Sequence, residues 1–183
     1  MASNSTLCAN NVSTHGLSIA SGGSVSGVRN TDLTVVTSTD TKYLTHLTSD
    51  HTVVFTATQA GDIILPQATA ANSGMVIKVV FAANCATSGP VKLGFLDSGS
   101  SVMTGSIKLG SNAGSETVDG FVMTTNTKAL VCKSDDVTGA GGAIGSNYTF
   151  IYHGANTVFC IANGFCTTGT PALDAAASSA TGV

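Results

Sequence analysis

At 183 residues the chain has room for one sizeable core. Only 9% of its residues are charged and its net charge is −3 with no basic run, so it lacks the electrostatic footprint on which nucleic-acid binding depends. No apolar run approaches the roughly 18 residues that a membrane-spanning helix needs, so no membrane partner is expected.

Ser, Thr, Asn, Gly and Ala replace the missing charge. Such a surface is close to neutral and can lie flat against other protein with little self-repulsion. The N-terminus, MASNSTLCANNVSTHG, has neither the charged n-region nor the apolar h-region of a secretory signal. An unprocessed product of a reducing cytoplasm is therefore expected. On that reading the glycosylation-like triplets at Asn4, Asn11 and Asn147 are idle.

Residues 1–30 carry isolated apolar residues (Val12, Leu17, Ile19, Val25, Val28) in a Ser/Asn/Gly background. They cannot build a core alone and are expected to form an extended arm that lies on its own body or on a neighbouring subunit. Residues 31–183 are expected to form one domain with a C-terminal tail.

From Asp32 short β-branched and aromatic runs follow one another: Leu33–Val36, Tyr43–Leu47 and Thr52–Thr56, separated by polar turn clusters. The stretch Gly61–Phe81 holds two apolar runs, Ile63–Leu65 and Met75–Phe81. Between them lies a small-residue connection that opens with Pro66 and closes with Gly74. Pro66 cannot continue a ladder and favours an extended Leu65, while Gly74 is free to take positive φ. Met75–Phe81, broken only by Lys78, is expected to be a strand buried on both faces.

Val91–Leu96, Ser106–Leu109, Val118–Thr124 and Ala129–Lys133 read as further strands, followed by a Gly-rich loop from Asp135 to Ser146. Tyr148, Phe150 and Tyr152 alternate with Thr149, Ile151 and His153, which marks a strand with two unlike faces. His153–Asn156 makes a tight connection into Thr157–Ala162, so residues 147–162 are expected to form a β-hairpin. The tail from Pro171 reads as a helical turn or packed coil. About ten strands and no useful amphipathic helix predict an all-β fold, an antiparallel β-sandwich or jelly-roll-like barrel with an extended N-terminal arm.

Candidate chemistry is sparse. The histidines are His15, His46, His51 and His153; His46 and His51 flank a turn but have no ligand-spaced carboxylate or cysteine, so no metal is expected. Asp135 and Asp136 lack the spacing of a calcium loop. The run AGGAIG within the Gly-rich loop has no Lys and opens no helix, so it is not a phosphate cradle but a flexible or interface-moulded loop. There is no GxSxG elbow for a nucleophile, and carboxylate pairs for glycoside chemistry are not placeable. The five cysteines, Cys8, Cys85, Cys132, Cys160 and Cys166, show no CxxC spacing. Cys132 and Cys160 are expected as buried thiols, with a Cys160–Cys166 pair left open. Neither a catalytic site nor a cofactor is expected, and the chain is read as a non-enzyme.

The pattern Phe55-Thr56-Ala57, Gly61-Asp62-Ile63-Ile64-Leu65-Pro66-Gln67-Ala68, then Gly74-Met75-Val76-Ile77-Lys78-Val79 resembles an element of phage virion proteins. There a strand ending in Leu-Pro-x-Ala passes through a small-residue turn and a Gly into an apolar strand. It is similar to segments of head decoration (cement) proteins and of tail-fibre or spike domains, particularly those of marine and cyanobacterial phages. The resemblance covers about 30 residues, and the low-charge texture extends it loosely over the rest. It implies a β-sandwich or barrel, commonly a homotrimer, bound to the major capsid protein on the capsid exterior. Alternatives are a tail, fibre or knob component with receptor binding, and a carbohydrate-binding or adhesin module. The last is disfavoured by the lack of Trp and by only three Tyr for sugar stacking.

Overall fold

The computed structural model describes residues 32–37, 39–47, 50–56, 58, 61–86, 90–96, 99–111, 118–135, 141–154, 156–167 and 174–176. The arm expected over residues 1–30 lies outside the described residues.

Twelve strands are described. In chain order they are β1 (Asp32–Val36), β2 (Lys42–Tyr43), β3 (His51–Phe55), β4 (Ile63–Ile64), β5 (Val76–Phe81) and β6 (Val91–Gly94). Then come β7 (Val102–Ser111), β8 (Val118–Thr127), β9 (Ala129–Cys132), β10 (Asn147–Gly154), β11 (Thr157–Cys166) and β12 (Asp174–Ala176). They form a seven-stranded sheet, β1-β3-β5-β10-β11-β7-β8, and a five-stranded sheet, β12-β9-β6-β4-β2.

The fold is mostly β, but the expected antiparallel sandwich or jelly roll is wrong. Both sheets are mixed. β1, β3 and β5 pair in parallel, as do β2, β4 and β6, and β11 pairs in parallel with β7. Odd-numbered strands from β1 to β5 belong to one sheet and even-numbered strands from β2 to β6 to the other. The chain therefore changes sheet at every step and returns beside its previous pass. Parallel neighbours need a long crossover, and here a strand of the opposite sheet supplies it in place of a helix. The turn cluster around Thr39–Asp40 carries the chain across to the other sheet instead of reversing it.

Two hairpins follow the six-strand coil. β7 and β8 pair antiparallel, and so do β10 and β11, as the sequence predicts for residues 147–162. Asn156, at φ 67°, and Gly154, at φ 75°, accommodate the second turn. Asp174–Ala176, expected as a helical turn or coil, adds instead as β12 to the edge of the five-stranded sheet, antiparallel to β9.

Residues from both sheets share one apolar cluster. Its rows follow the registers: Val53, Val79, Tyr148, Ala162 and Ile107 lie side by side on the inward face of the larger sheet. Phe55 and Phe81, neighbours in adjacent parallel strands, stack with centroids 4.7 Å apart and planes within 4°. Ile63, Leu65, Val91, Leu93 and Leu130 meet them from the smaller sheet's side and are at most 1% exposed. β5 is not buried on both faces: Ile77, Val79 and Phe81 are inside, Lys78 is exposed, and Val76 and Val80 are half-buried.

Gly105 shows how tightly the larger sheet closes. It sits at φ 136°, at a bulge in the β7–β8 register, and a Cβ there would overlap the Cys160 carbonyl oxygen of β11. Gly120, on β8, has nothing within 4 Å of the place a Cβ would occupy. Gly105→Ala is expected to lose about 3 kcal/mol or more, through overlap and backbone strain. Gly120→Ala is expected to stay within about 0.5 kcal/mol of the parent. Urea midpoints check both, and equal midpoints would contradict the register.

Candidate functional site

The segment carrying the virion-protein resemblance is the corner between β4 and β5, and its residues are accounted for by packing. Asp62 Oδ1 accepts the Lys92 amide at 2.9 Å, holding β4 against β6. Desolvation raises the Asp62 carboxyl above its usual range, against the lowering effect of that hydrogen bond and of the Lys92 charge. Leu65 is fully buried, and its amide donates to Gly94 O at 2.7 Å. Pro66 then ends the ladder, and its carbonyl accepts the Tyr152 hydroxyl at 3.1 Å.

Gln67 Oε1 accepts the Ser101 amide at 3.1 Å, and the Ser101 hydroxyl accepts the Ala68 amide at 2.7 Å. A single 3-10 turn, Ala70–Asn72, follows, with Asn72 Nδ2 donating back to Gln67 O at 2.8 Å. Gly74 takes φ 88°, as its place in the sequence predicts, and its amide donates to Tyr152 O at 2.8 Å. The Tyr152 amide in turn donates to Met75 O at 3.0 Å. Tyr152 thus touches both ends of the corner, once through its side chain and twice through its backbone.

The Gly-rich loop is also structural where it is described. Residues 141–146 are held by hydrogen bonds to the rest of the domain; Gly139 lies outside the described residues. Gly141 and Ala143 donate to Phe165 O, Gly142 donates to Lys133 O, and Gly145 donates to Phe81 O. The Tyr148 hydroxyl donates to Gly141 O at 2.9 Å. These bonds tie the segment to three strands.

The sequence-predicted titratable groups do not converge. His46 is exposed in a turn after β2, whereas His51 is buried on β3 with Nε2 and Thr34 Oγ1 2.8 Å apart. His153 is exposed and meets Phe159 edge-on at 5.5 Å. His15, Asp136 and Cys8 lie outside the described residues. Among the described residues, no group of three or more His, Cys, Asp or Glu is placed to hold a metal ion. No helix among them is long and apolar enough to cross a membrane.

Cys85, Cys132, Cys160 and Cys166 are buried free thiols. Cys160 and Cys166 share β11, so the pairing left open by the sequence is not formed. Cys85 Sγ donates to Cys132 O at 3.2 Å. Burial, with a smaller contribution from the Asp135 carboxylate, pushes the Cys85 thiol up to about 11. Burial first and the neighbouring Cys132 second push Cys160 higher still, and the Tyr148 phenol rises for the same reasons. Thiols kept neutral in this way are poor nucleophiles.

Several large apolar side chains face outward. Leu33 and Val35 on β1, Val118 and Val122 on β8, and Phe159 and Ile161 on β11 are all at least 40% exposed. The sequence reading missed this surface. Its signal was there: Phe159 and Ile161 alternate with the buried Val158, Cys160 and Ala162, making β11 apolar on both faces. Compared with family models, curated proteins and solved structures, the chain matches none.

Two outcomes follow. Tyr152→Phe leaves the Pro66 carbonyl buried without its donor and is expected to cost about 1–3 kcal/mol in urea unfolding; no change in midpoint would remove Tyr152 from its central position. The Cys85 thiol is neutral in the native state up to about pH 11, while an unfolded thiol ionises near 9.0. Its contribution is fully present below pH 9 and is lost as pH rises from 9 through 11. Stability is therefore expected to fall across that window, with Cys85 contributing about 2–3 kcal/mol of the loss. Cys85→Ala flattens the slope, and an unchanged slope would contradict the assignment.

Proposed function

We propose that the chain is a virion structural protein, a capsid decoration or cement protein that binds the outside of a shell of major capsid protein. The observation that carries this reading is the open β1 edge. Among the described residues β1 is the last strand at its end of the larger sheet; over Leu33–Val36 it has no charge and no proline, and Leu33 and Val35 are exposed. Sheet edges left unguarded in this way invite a further strand. An extended segment of a neighbouring capsid subunit adds to such an edge through main-chain hydrogen bonds, with Leu33 and Val35 giving apolar contact. Binding the lattice and not the free capsid subunit stabilises the assembled shell by mass action.

A tail-fibre component is the second reading. It is favoured by the coil of β1 to β6, whose parallel passes stack as in the shafts that β-solenoids build.

Co-sedimentation of the purified protein with empty shells separates these readings. The decoration reading expects saturable binding at near-stoichiometric copy number over the shell, and loss of binding in Val35→Pro, which blocks the β1 edge. A protein that stays in the supernatant at micromolar concentration would overturn the decoration reading. A few copies per complete particle, located at the tail, would establish the fibre reading in its place.

A further inference from the structure

The outward face of the seven-stranded sheet is patterned across its whole width. Along one row the registers place Leu33, Thr52 and Lys78 on one side, with Thr149 of β10 in the middle. On the other side the same row continues through Ile161 and Ser106 to Val122 at the far edge. A second row runs from Val35 through Val54 and Val80 to Asn147, and then through Asn163 and Lys108. A third holds Val76, Ile151, Phe159 and Thr104. These three rows contain no carboxylate and two cations, Lys78 and Lys108.

We propose that this face is a self-association surface, occupied by the same face of a second copy of the chain about a twofold axis running along β10. Three observations select that occupant. The first is apolar matching. The axis lays β1 over β8, β3 over β7 and β5 over β11, and each row meets itself. Leu33, 58% exposed, then covers Val122 of the second copy, 81% exposed, at both ends of the contact. Thr52 meets Ser106, Val76 meets Phe159, and Thr149 and Ile151 meet their own counterparts.

The second is charge. Lys78 and Lys108 lie on opposite sides of β10, in different rows, so the axis brings neither against a cation. Lys78 falls over Ile161 and Lys108 over Val54, where their aliphatic stems pack against apolar side chains. The third is area. Seven strands of five to ten residues, at about 3.3 Å per residue and about 4.8 Å between strands, make a face of roughly 850 Å². A stable interface buries about 800 Å² on each partner. Two sheets packed face to face at about 10 Å, with their strands nearly aligned, are an ordinary arrangement. A face that pairs with itself closes at two copies, so a dimer replaces the homotrimer expected from the resemblance.

The test uses the full chain alone, so its failure is distinct from a failure to bind shells. Sedimentation equilibrium across a concentration series is expected to give twice the chain mass of 18.2 kDa. Ile161→Lys sets a cation against Lys78 of the second copy, whereas Ile161→Glu sets an anion there. The lysine variant is therefore expected to raise the dimer dissociation constant at least tenfold more than the glutamate variant. Tyr43→Lys, exposed on the edge of the smaller sheet, is expected to leave the mass unchanged. Protection of the buried thiols from alkylation reports that each variant is folded. A folded monomer at every concentration, a trimer, or a dimer in which the two Ile161 variants are equally weakened would each overturn the proposal.

Discussion

The hydrogen bond from the Tyr152 hydroxyl to the Pro66 carbonyl joins the two halves of this architecture. A chain that changes sheet at every step must turn its backbone through the region between layers, where carbonyls and amides leave water without entering a ladder. The β4–β5 corner meets that constraint with partners from elsewhere in the chain: Tyr152 from the β10–β11 hairpin, and Ser101 from the approach to β7. The coil and the later hairpin are thereby linked, and the inward row of Tyr148, Phe150 and Tyr152 packs against both. The Leu-Pro-Gln-Ala run is accordingly a fold-building element.

Much of this was legible in the sequence, and the rest was hidden for identifiable reasons. β-branched runs, the alternation in Tyr148–His153 and the requirement for Gly at position 74 follow from local chemistry. Strand direction does not. A half-buried strand shows the same period of two whether its neighbour runs parallel or antiparallel, so β1 to β6 fit the expected antiparallel sandwich although they form a two-sheet coil. The turn cluster at Thr39–Asp40 marks a change of direction without saying whether the chain reverses or crosses. Met75–Phe81 looked fully buried because Val76 and Val80 are apolar, yet both lie on the outward face. The Gly-rich segment looked loose because its bonds are formed by backbone amides, which composition does not reveal.

The same division applies to the candidate site. The titratable side chains that a sequence reader notices are dispersed: His51 lies within the larger sheet, His46 in an exposed turn, and burial holds the Cys85 and Cys160 thiols neutral. The informative positions are Leu33, Val122, Phe159 and Ile161, ordinary strand residues in sequence and unusual only once the sheet shows that they face outward. Apolar side chains on an outward sheet face and unguarded strand edges are aggregation hazards for a protein that stays single. On the proposed self-association they become the contact surface.

Hydroxyl-radical footprinting tests most directly whether the chain works through that surface. Side-chain oxidation would be compared between concentrations below and above the association midpoint. The account predicts that Phe159, Ile161 and Leu33 lose reactivity on association while Tyr43, at the edge of the other sheet, keeps it. Unchanged reactivity at Phe159 and Ile161, with protection appearing at Tyr43, would contradict it.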